Sequence, residues 1–246
     1  MNYEIIDQCV PGPGVQLKLD HVLYESCDCH VTCQKEECPC IKKCSYDEYG
    51  RLSQELMSET TCPIFECNSK CTCTLDCINR VTQRKGTVFD KVMVKETSNK
   101  GDGLFAKVDI PIGTFVGEYV GEIIRVLTAK ERLQSLCPQD SCYIVQFKEN
   151  SEGSDVIMTT CIDARFYGNY TRFINHSCSP NLVMVAVRRD SIVPSLCLFT
   201  SAAVGAGEEL CFSYCEGSET DEVSLGQKPC FCGSTNCRKY LPLQSS

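Results

Sequence analysis

The chain has 246 residues, of which 43% are hydrophobic and 23% charged, enough apolar material for a packed core and no basis for a disordered chain. Twenty-four basic residues against thirty-two acidic ones leave a formal charge of −8, which argues against a general phosphate-backbone binder. The anomaly is 22 cysteines beside no tryptophan. Met1 to Val10 has neither a basic n-region nor an apolar h-region, and the longest apolar run, Leu182 to Val187, is far too short to span a bilayer. With no secretion signal and no membrane span, the cysteines point to metal thiolates rather than disulfides.

In chain order, residues 1–24 read as an arm, with Pro11-Gly12-Pro13-Gly14 as a linker-like stretch. Residues 25–85 carry Cys27-x-Cys29-x3-Cys33-x4-Cys38-x-Cys40 and then Cys67-x3-Cys71-x-Cys73-x3-Cys77. Cysteines one residue apart rarely bridge each other but suit thiolates aimed at neighbouring metals. These nine thiolates satisfy three tetrahedral zinc ions if six are terminal and three are shared. Ser45 to Thr61, with Asp47, Gly50 and Ser53, reads as a polar loop between the two ligand groups, and Cys44 and Cys62 flanking it read as packing thiols.

From Thr87 the pattern becomes short strand-like runs separated by turns: Val88 to Val94, Thr114 to Val120, Cys142 to Phe147, Val156 to Ile162 and Asn181 to Val187. Thr128 followed by Glu131 reads as a capping box opening one helix over Ala129 to Leu136. Three stretches could carry chemistry. Lys100-Gly101-Asp102-Gly103 would let backbone approach a ligand, although such glycines more often mark a plain turn. Arg172-Phe173-Ile174-Asn175-His176-Ser177-Cys178 packs many polar groups between apolar strands, which demands hydrogen bonds if buried. Glu208 to Tyr214 is a strand-like run ending in a tyrosine that alone would read as core. Near the end, Cys230-x-Cys232-x4-Cys237 offers three ligands where a closed zinc site needs a fourth, so the tail is expected to staple onto the middle of the chain.

The Arg172-to-Cys178 motif, preceded by nine clustered cysteines and followed by Cys-x-Cys-x4-Cys, resembles the SET-domain lysine methyltransferases of the suppressor-of-variegation class. The resemblance implies a mostly β SET fold of small curved sheets, few short helices and a pseudoknot. It implies pre-SET over 25–85, SET over 86–216 and post-SET over 226–242. It also implies Cys178 as the missing fourth ligand beside Cys230, Cys232 and Cys237. Lys100, Gly101, Asp102, Gly103, Tyr143, Arg172, Phe173, Asn175 and His176 match positions that contact S-adenosylmethionine. Tyr214 matches the catalytic tyrosine, and Tyr119 and Phe212 match residues lining a lysine channel. The family alternates Phe and Tyr at the position of Phe212, and Phe there implies di- or trimethylation. Ser213 departs from the family, where Asp is frequent.

These residue types suit methyl transfer from a sulfonium to a neutral amine. A free lysine has a pKa near 10.4, so at pH 7 only about one in 2,500 is neutral, a penalty of about 4.6 kcal/mol. An apolar, tyrosine-lined channel beside a positive sulfonium disfavours the ammonium. Thirteen thiolates with four zinc ions take the formal charge from −8 to about −13, which favours a basic peptide. The expectation is a monomeric enzyme acting on a histone tail, located at the chromosome in the nucleus by analogy. Among histone tails, the lysine at position nine of histone H3 is the family's commonest target. No direct nucleic-acid readout is expected. A nonhistone lysine substrate and a catalytically silent SET module are the alternatives.

Overall fold

The computed structural model describes residues 3–16, 24–34, 38–41, 45–58, 62–84, 89–137, 140–150, 157–214 and 227–242. Their strands form four small sheets. β4 (Val92–Glu96) and β5 (Asp102–Ala106) make a hairpin that continues through β14 (Glu209–Phe212) to β11 (Asn175–His176). A second sheet orders β3 (Ile64–Phe65), β12 (Leu182–Arg188), β13 (Ser195–Thr200) and β6 (Phe115–Glu118). A third orders β2 (Val10–Pro11), β7 (Glu122–Ile124), β9 (Ile157–Asp163) and β8 (Ile144–Asn150). The last pairs β1 (Glu4–Ile5) with β10 (Tyr167–Gly168). The β-rich architecture of small sheets with few short helices expected from the sequence is present.

Most expected strands form, with shifted ends. Cys142 and Tyr143 precede β8 rather than belonging to it, while Val88 and Val156 lie outside the described residues. β13 went unread in the sequence. Five of its six residues are buried, so the polar–apolar alternation that marks a half-exposed strand is missing. The helix is α2 (Val126–Gln134), which starts two residues before Thr128. Its N-cap is Arg125, in extended conformation and without a side-chain cap bond, so the Thr128–Glu131 box is not used. The first turn is fixed by the exit of β7, from which Ala129 N–H reaches the Arg125 carbonyl at 2.9 Å.

The segment after Ser45 is not a simple polar loop. Asp47 accepts the backbone N–H groups of Tyr49 and Arg51, folding a tight turn that brings Tyr46 opposite Leu52. The short helix α1 (Gln54–Ser58) follows. Tyr46 and Leu52 are buried with Ile64 and Val81 against Val183, Val185, Val187 and Phe199 of β12 and β13. The cysteine-rich segment thus shares a core with the middle of the chain, and β3 extends that same sheet. Cys62 is exposed, because it lies just before β3 and outside this core, so it is not a packing thiol; Cys44 lies outside the described residues. The arm is likewise more than a linker: Val10 N–H donates to Gly121 and Gly12 N–H to Ile123, fixing it to β7 as an edge strand.

Candidate active site and thiolate clusters

All nine expected pre-SET cysteines gather in one cluster, seven buried and Cys29 and Cys40 packed against them. Sulfurs around a tetrahedral zinc at about 2.3 Å lie about 3.8 Å apart. Here Cys27 and Cys33 are 3.5 Å apart, Cys33 and Cys67 3.5 Å, and Cys40 and Cys71 3.8 Å. Three four-sulfur groups form: Cys27, Cys29, Cys33, Cys38; Cys27, Cys40, Cys67, Cys71; and Cys27, Cys33, Cys67, Cys73. Cys33 and Cys67 each recur in two of these groups and Cys27 in all three, so these are the sulfurs placed to be shared between metals. Cys77, outside these three groups, is buried in the same cluster, its sulfur accepting the Cys33 N–H at 3.4 Å. The donor set fits three zinc ions.

Nine thiolates around three dications carry net negative charge, and the surroundings answer it with donors. Arg80 Nε donates to Cys73 Sγ at 3.3 Å and Asn79 Nδ2 to Cys67 Sγ at 3.6 Å. Arg80 also donates to the carbonyls of Cys67, Asn68 and Cys71, tying the second cysteine group into one loop. Neither residue was singled out in the sequence, since nothing in the spacing marks an outer donor.

The fourth group is Cys178, Cys230, Cys232 and Cys237, with Cys178 3.9 Å from Cys230. It also fits zinc, and it ties the tail to the middle of the chain. Arg238 N–H donates to Cys178 Sγ, and Asn236 Nδ2 to the Cys178 carbonyl.

Cys178 lies two residues beyond β11, and β11 is where the polar motif meets the tyrosine-bearing strand. Asn175 and His176 pair in parallel with Cys211 and Phe212, so residues from distant parts of the chain share one crossing. A parallel pair of this kind cannot be a hairpin; it needs the long excursion through β12 and β13. At the crossing Tyr214 N–H donates to His176 Nδ1 at 3.2 Å, and Tyr214 Oη donates to the Ile174 carbonyl at 3.1 Å. Burial, with Arg238 and Lys100 nearby, lowers the His176 pKa to about 4, so the ring is neutral and Nδ1 can accept. Its Nε2 lies 3.4 Å from Cys178 Sγ, linking the crossing to the thiolate group.

The second expected tyrosine, Tyr119, follows β6, is buried, and donates from Oη to the Tyr143 carbonyl at 2.8 Å. Phe212 is buried with its ring 5.0 Å from that of Tyr214. Burial raises the pKa of both phenols, for Tyr119 with Tyr214 adding to the effect and for Tyr214 with Cys211 doing so. Both therefore act as neutral hydrogen-bonding groups.

The glycine turn stands next to this crossing. Gly101 has φ of +71°, the left-handed conformation that glycine adopts freely, and Asp102 opens β5. Asn175 Nδ2 donates to the Asp102 carbonyl at 3.1 Å and to Glu209 Oε1 at 2.9 Å. Glu209 also pairs with Lys100, so one carboxylate joins two positions that the sequence assigned separately. A Cβ on Gly103 would lie 2.8 Å from Glu209 Oε1 and 3.1 Å from Asn175 Nδ2, so only glycine leaves this network undisturbed. Glu209 had no role in the sequence reading; its place opposite Phe105 on β5 is what reveals one. Arg172 and Phe173 lie on a 3-10 turn spanning Tyr170–Phe173, capped by Asn169. Tyr143 places its ring centroid 3.9 Å from the Arg172 guanidinium carbon.

A β fold with a parallel crossing, a glycine turn against it and cysteine clusters on either side defines the SET-domain class. The SET domain family matches residues 101–215. The histone-lysine N-methyltransferase SETMAR of Rattus norvegicus is 36% identical over 249 residues, covering 96% of this chain and 78% of that protein. The crystal structure of the methyltransferase domain of human SETMAR is similar with a TM-score of 0.84 at 34% identity, covering 100% of this chain and 91% of that one. KRYPTONITE, solved with mCHH DNA, an H3(1-15) peptide and SAH, gives a TM-score of 0.75 at 26% identity, covering 98% of this chain and 48% of that one. The chain belongs to the SET-domain histone-lysine N-methyltransferases.

Proposed function

We propose that this histone-lysine N-methyltransferase methylates the histone H3 tail at the lysine in position nine, using S-adenosylmethionine, and carries the product to the di- or trimethyl state. The carrying observation is the meeting of Tyr214, Asn175 and His176 at one parallel strand crossing, with Tyr119 and Phe212 in the same packed core. The bound cofactor supplies a methyl group on a positively charged sulfur. Lys100, Gly101, Asp102, Gly103, Tyr143, Arg172, Phe173, Asn175 and His176 would hold it. Support for the cofactor comes from the SAH bound in KRYPTONITE, and support for the H3 tail from the peptide in the same complex.

In this reading Tyr119 and Tyr214 line a channel for the lysine side chain and orient the neutral amine through their hydroxyls. Tyr214 is a poor general base, because burial raises its pKa further. Selection of the neutral amine falls to desolvation: the channel walls come from buried apolar groups, which disfavour an ammonium. Phe212, with no hydroxyl to hold a water, leaves volume for added methyl groups. Zinc held by Cys27, Cys29, Cys33, Cys38, Cys40, Cys67, Cys71, Cys73 and Cys77, and by Cys178, Cys230, Cys232 and Cys237, makes a scaffold without a chemical step. The segments follow the division into pre-SET (25–85), SET (86–216) and post-SET (226–242). A histone substrate implies a nuclear location, and an H3 tail places the enzyme at the chromosome.

The test is mass spectrometry of histone H3 and a panel of nonhistone proteins after incubation with the zinc-loaded chain and labelled S-adenosylmethionine, beside Tyr214→Phe. The expected outcome is di- or trimethyl-lysine on H3 that falls at least tenfold in the variant. Transfer confined to nonhistone proteins, or arrest at monomethyl-lysine on saturating peptide, refutes the corresponding part.

A further inference from the structure

Arg172 is 8% exposed, yet among the described residues no carboxylate lies within ion-pair distance of it. Its edge is fixed by carbonyls, with Nε donating to Ala164 at 3.0 Å and a terminal nitrogen to Arg165 at 3.5 Å. Its charge is met by aromatic rings. Tyr143 lies 3.9 Å and Phe173 5.2 Å from the guanidinium carbon, and the third ring, at 4.2 Å, is Tyr3 from the N-terminal arm. Tyr3 also meets Phe173 edge-on at 6.0 Å.

The arm is built to hold that ring in place. β1 pairs in parallel with β10, Glu4 opposite Tyr167 and Ile5 opposite Gly168. Glu4 N–H donates to the Phe166 carbonyl at 2.8 Å and Ile6 N–H to the Gly168 carbonyl at 3.0 Å. β10 runs through the Asn169 cap directly into the turn that carries Arg172, so the arm grips the segment that aims this side chain. Ile5, beside the anchored residues, is 75% exposed, so β1 adds little apolar burial to the core at that point. What it contributes is the position of Tyr3.

We propose that Tyr3 is a positioning residue for the cofactor site: through cation–π contact it holds the Arg172 guanidinium, which has no carboxylate partner among the described residues, against Tyr143 and Phe173. The aromatic face carries this role, since the ring quadrupole and not the phenol hydroxyl attracts the cation. An aromatic clamp suits this site better than a carboxylate would. It fixes the arginine without cancelling its charge, leaving that charge available to an anionic ligand group. The proposal rests on the assignment of Arg172 to the cofactor seat.

The test compares wild type, Tyr3→Phe, Tyr3→Ala and Arg172→Ala as zinc-loaded full-length chains. The readouts are cofactor Kd by calorimetry, KM for cofactor and for an H3 peptide, zinc content and Tm. Tyr3→Ala should weaken cofactor binding and raise the cofactor KM about tenfold, with peptide KM within about twofold and zinc content unchanged. Tyr3→Phe should match wild type. Equal cofactor affinity in Tyr3→Ala and wild type, with Arg172→Ala impaired, overturns the role of Tyr3 alone. Unchanged affinity in Arg172→Ala overturns the seat assignment and this inference with it. A loss in Tyr3→Ala shared by Tyr3→Phe, or matched by a fall in zinc content and a rise in peptide KM, marks a general structural effect and also overturns it.

Discussion

The pre-SET cluster and the strand core are held together by opposite means. Around the nine cysteines there is almost no regular structure: the two-residue β3 and the five-residue α1 are the strand and α-helix within 24–84 among the described residues. Order there comes from sulfurs 3.5–3.8 Å apart, which metal ions draw together. In the strand core order comes from area, with Leu104, Val116, Ile174, Leu182, Leu196, Leu198 and Leu210 each at most 2% exposed. The contrast separates what each region tolerates. A metal centre fails at single ligands and stepwise, whereas an apolar core tolerates volume-conserving exchanges and loses stability with the volume removed.

The sharpest way to break the contrast is to remove a shared thiolate. Cys27 belongs to all three four-sulfur groups and Cys29 to one. Cys27→Ser should therefore release more than one zinc per chain and Cys29→Ser one, as read by zinc stoichiometry on the purified variants. Equal losses would show that the corners are not shared. Next in size is Phe199→Ala, which empties a fully buried site packed against Tyr46 and Phe115. It should cost about 3–5 kcal/mol in denaturant unfolding while the purified protein keeps its zinc. Zinc loss on that substitution would mean the two regions fail together through the core that Tyr46, Leu52 and Ile64 share with β12 and β13.

A smaller effect probes the crossing. Glu209→Gln keeps an acceptor for Asn175 but drops the charge facing Lys100, a partly exposed pair. About 1 kcal/mol, or about fivefold in cofactor Kd, is expected, with zinc content unchanged. A shift above a hundredfold would give the carboxylate a direct part in binding. The smallest effect is one of pH. The Tyr119 and Tyr214 pKa values are raised by burial, so both phenols stay protonated through pH 9. The rate should therefore climb from pH 7 to 9 with the fraction of neutral substrate amine. A fall in that window that disappears in Tyr214→Phe would count against the neutral-phenol role.

Legibility in the sequence followed the distance over which each interaction acts. Metal ligands repeat at short spacings, so Cys27 to Cys40 and Cys67 to Cys77 could be read directly, and even the need for a fourth ligand at the tail was visible by counting. The motif from Arg172 to Cys178 stood out by its polarity between apolar runs. The capping box at Thr128 misled because the exit of β7, not a local side chain, sets the helix start. Ser45 to Thr61 looked polar because burial of Tyr46 and Leu52 depends on β12 and β13, which lie more than a hundred residues away.

By itself, then, the sequence determined the thiolate groups, the fold class and the residue types at the crossing, because each is a pattern of chemistry along the chain. Only the tertiary structure decided that Cys27, Cys33 and Cys67 are the recurring corners of the cluster. It alone showed Glu209 joining Lys100 to Asn175, and the arm bringing Tyr3 onto Arg172. Those contacts arise where strands distant in sequence pair side by side, and pairing partners are fixed by the burial of the whole core rather than by any segment alone.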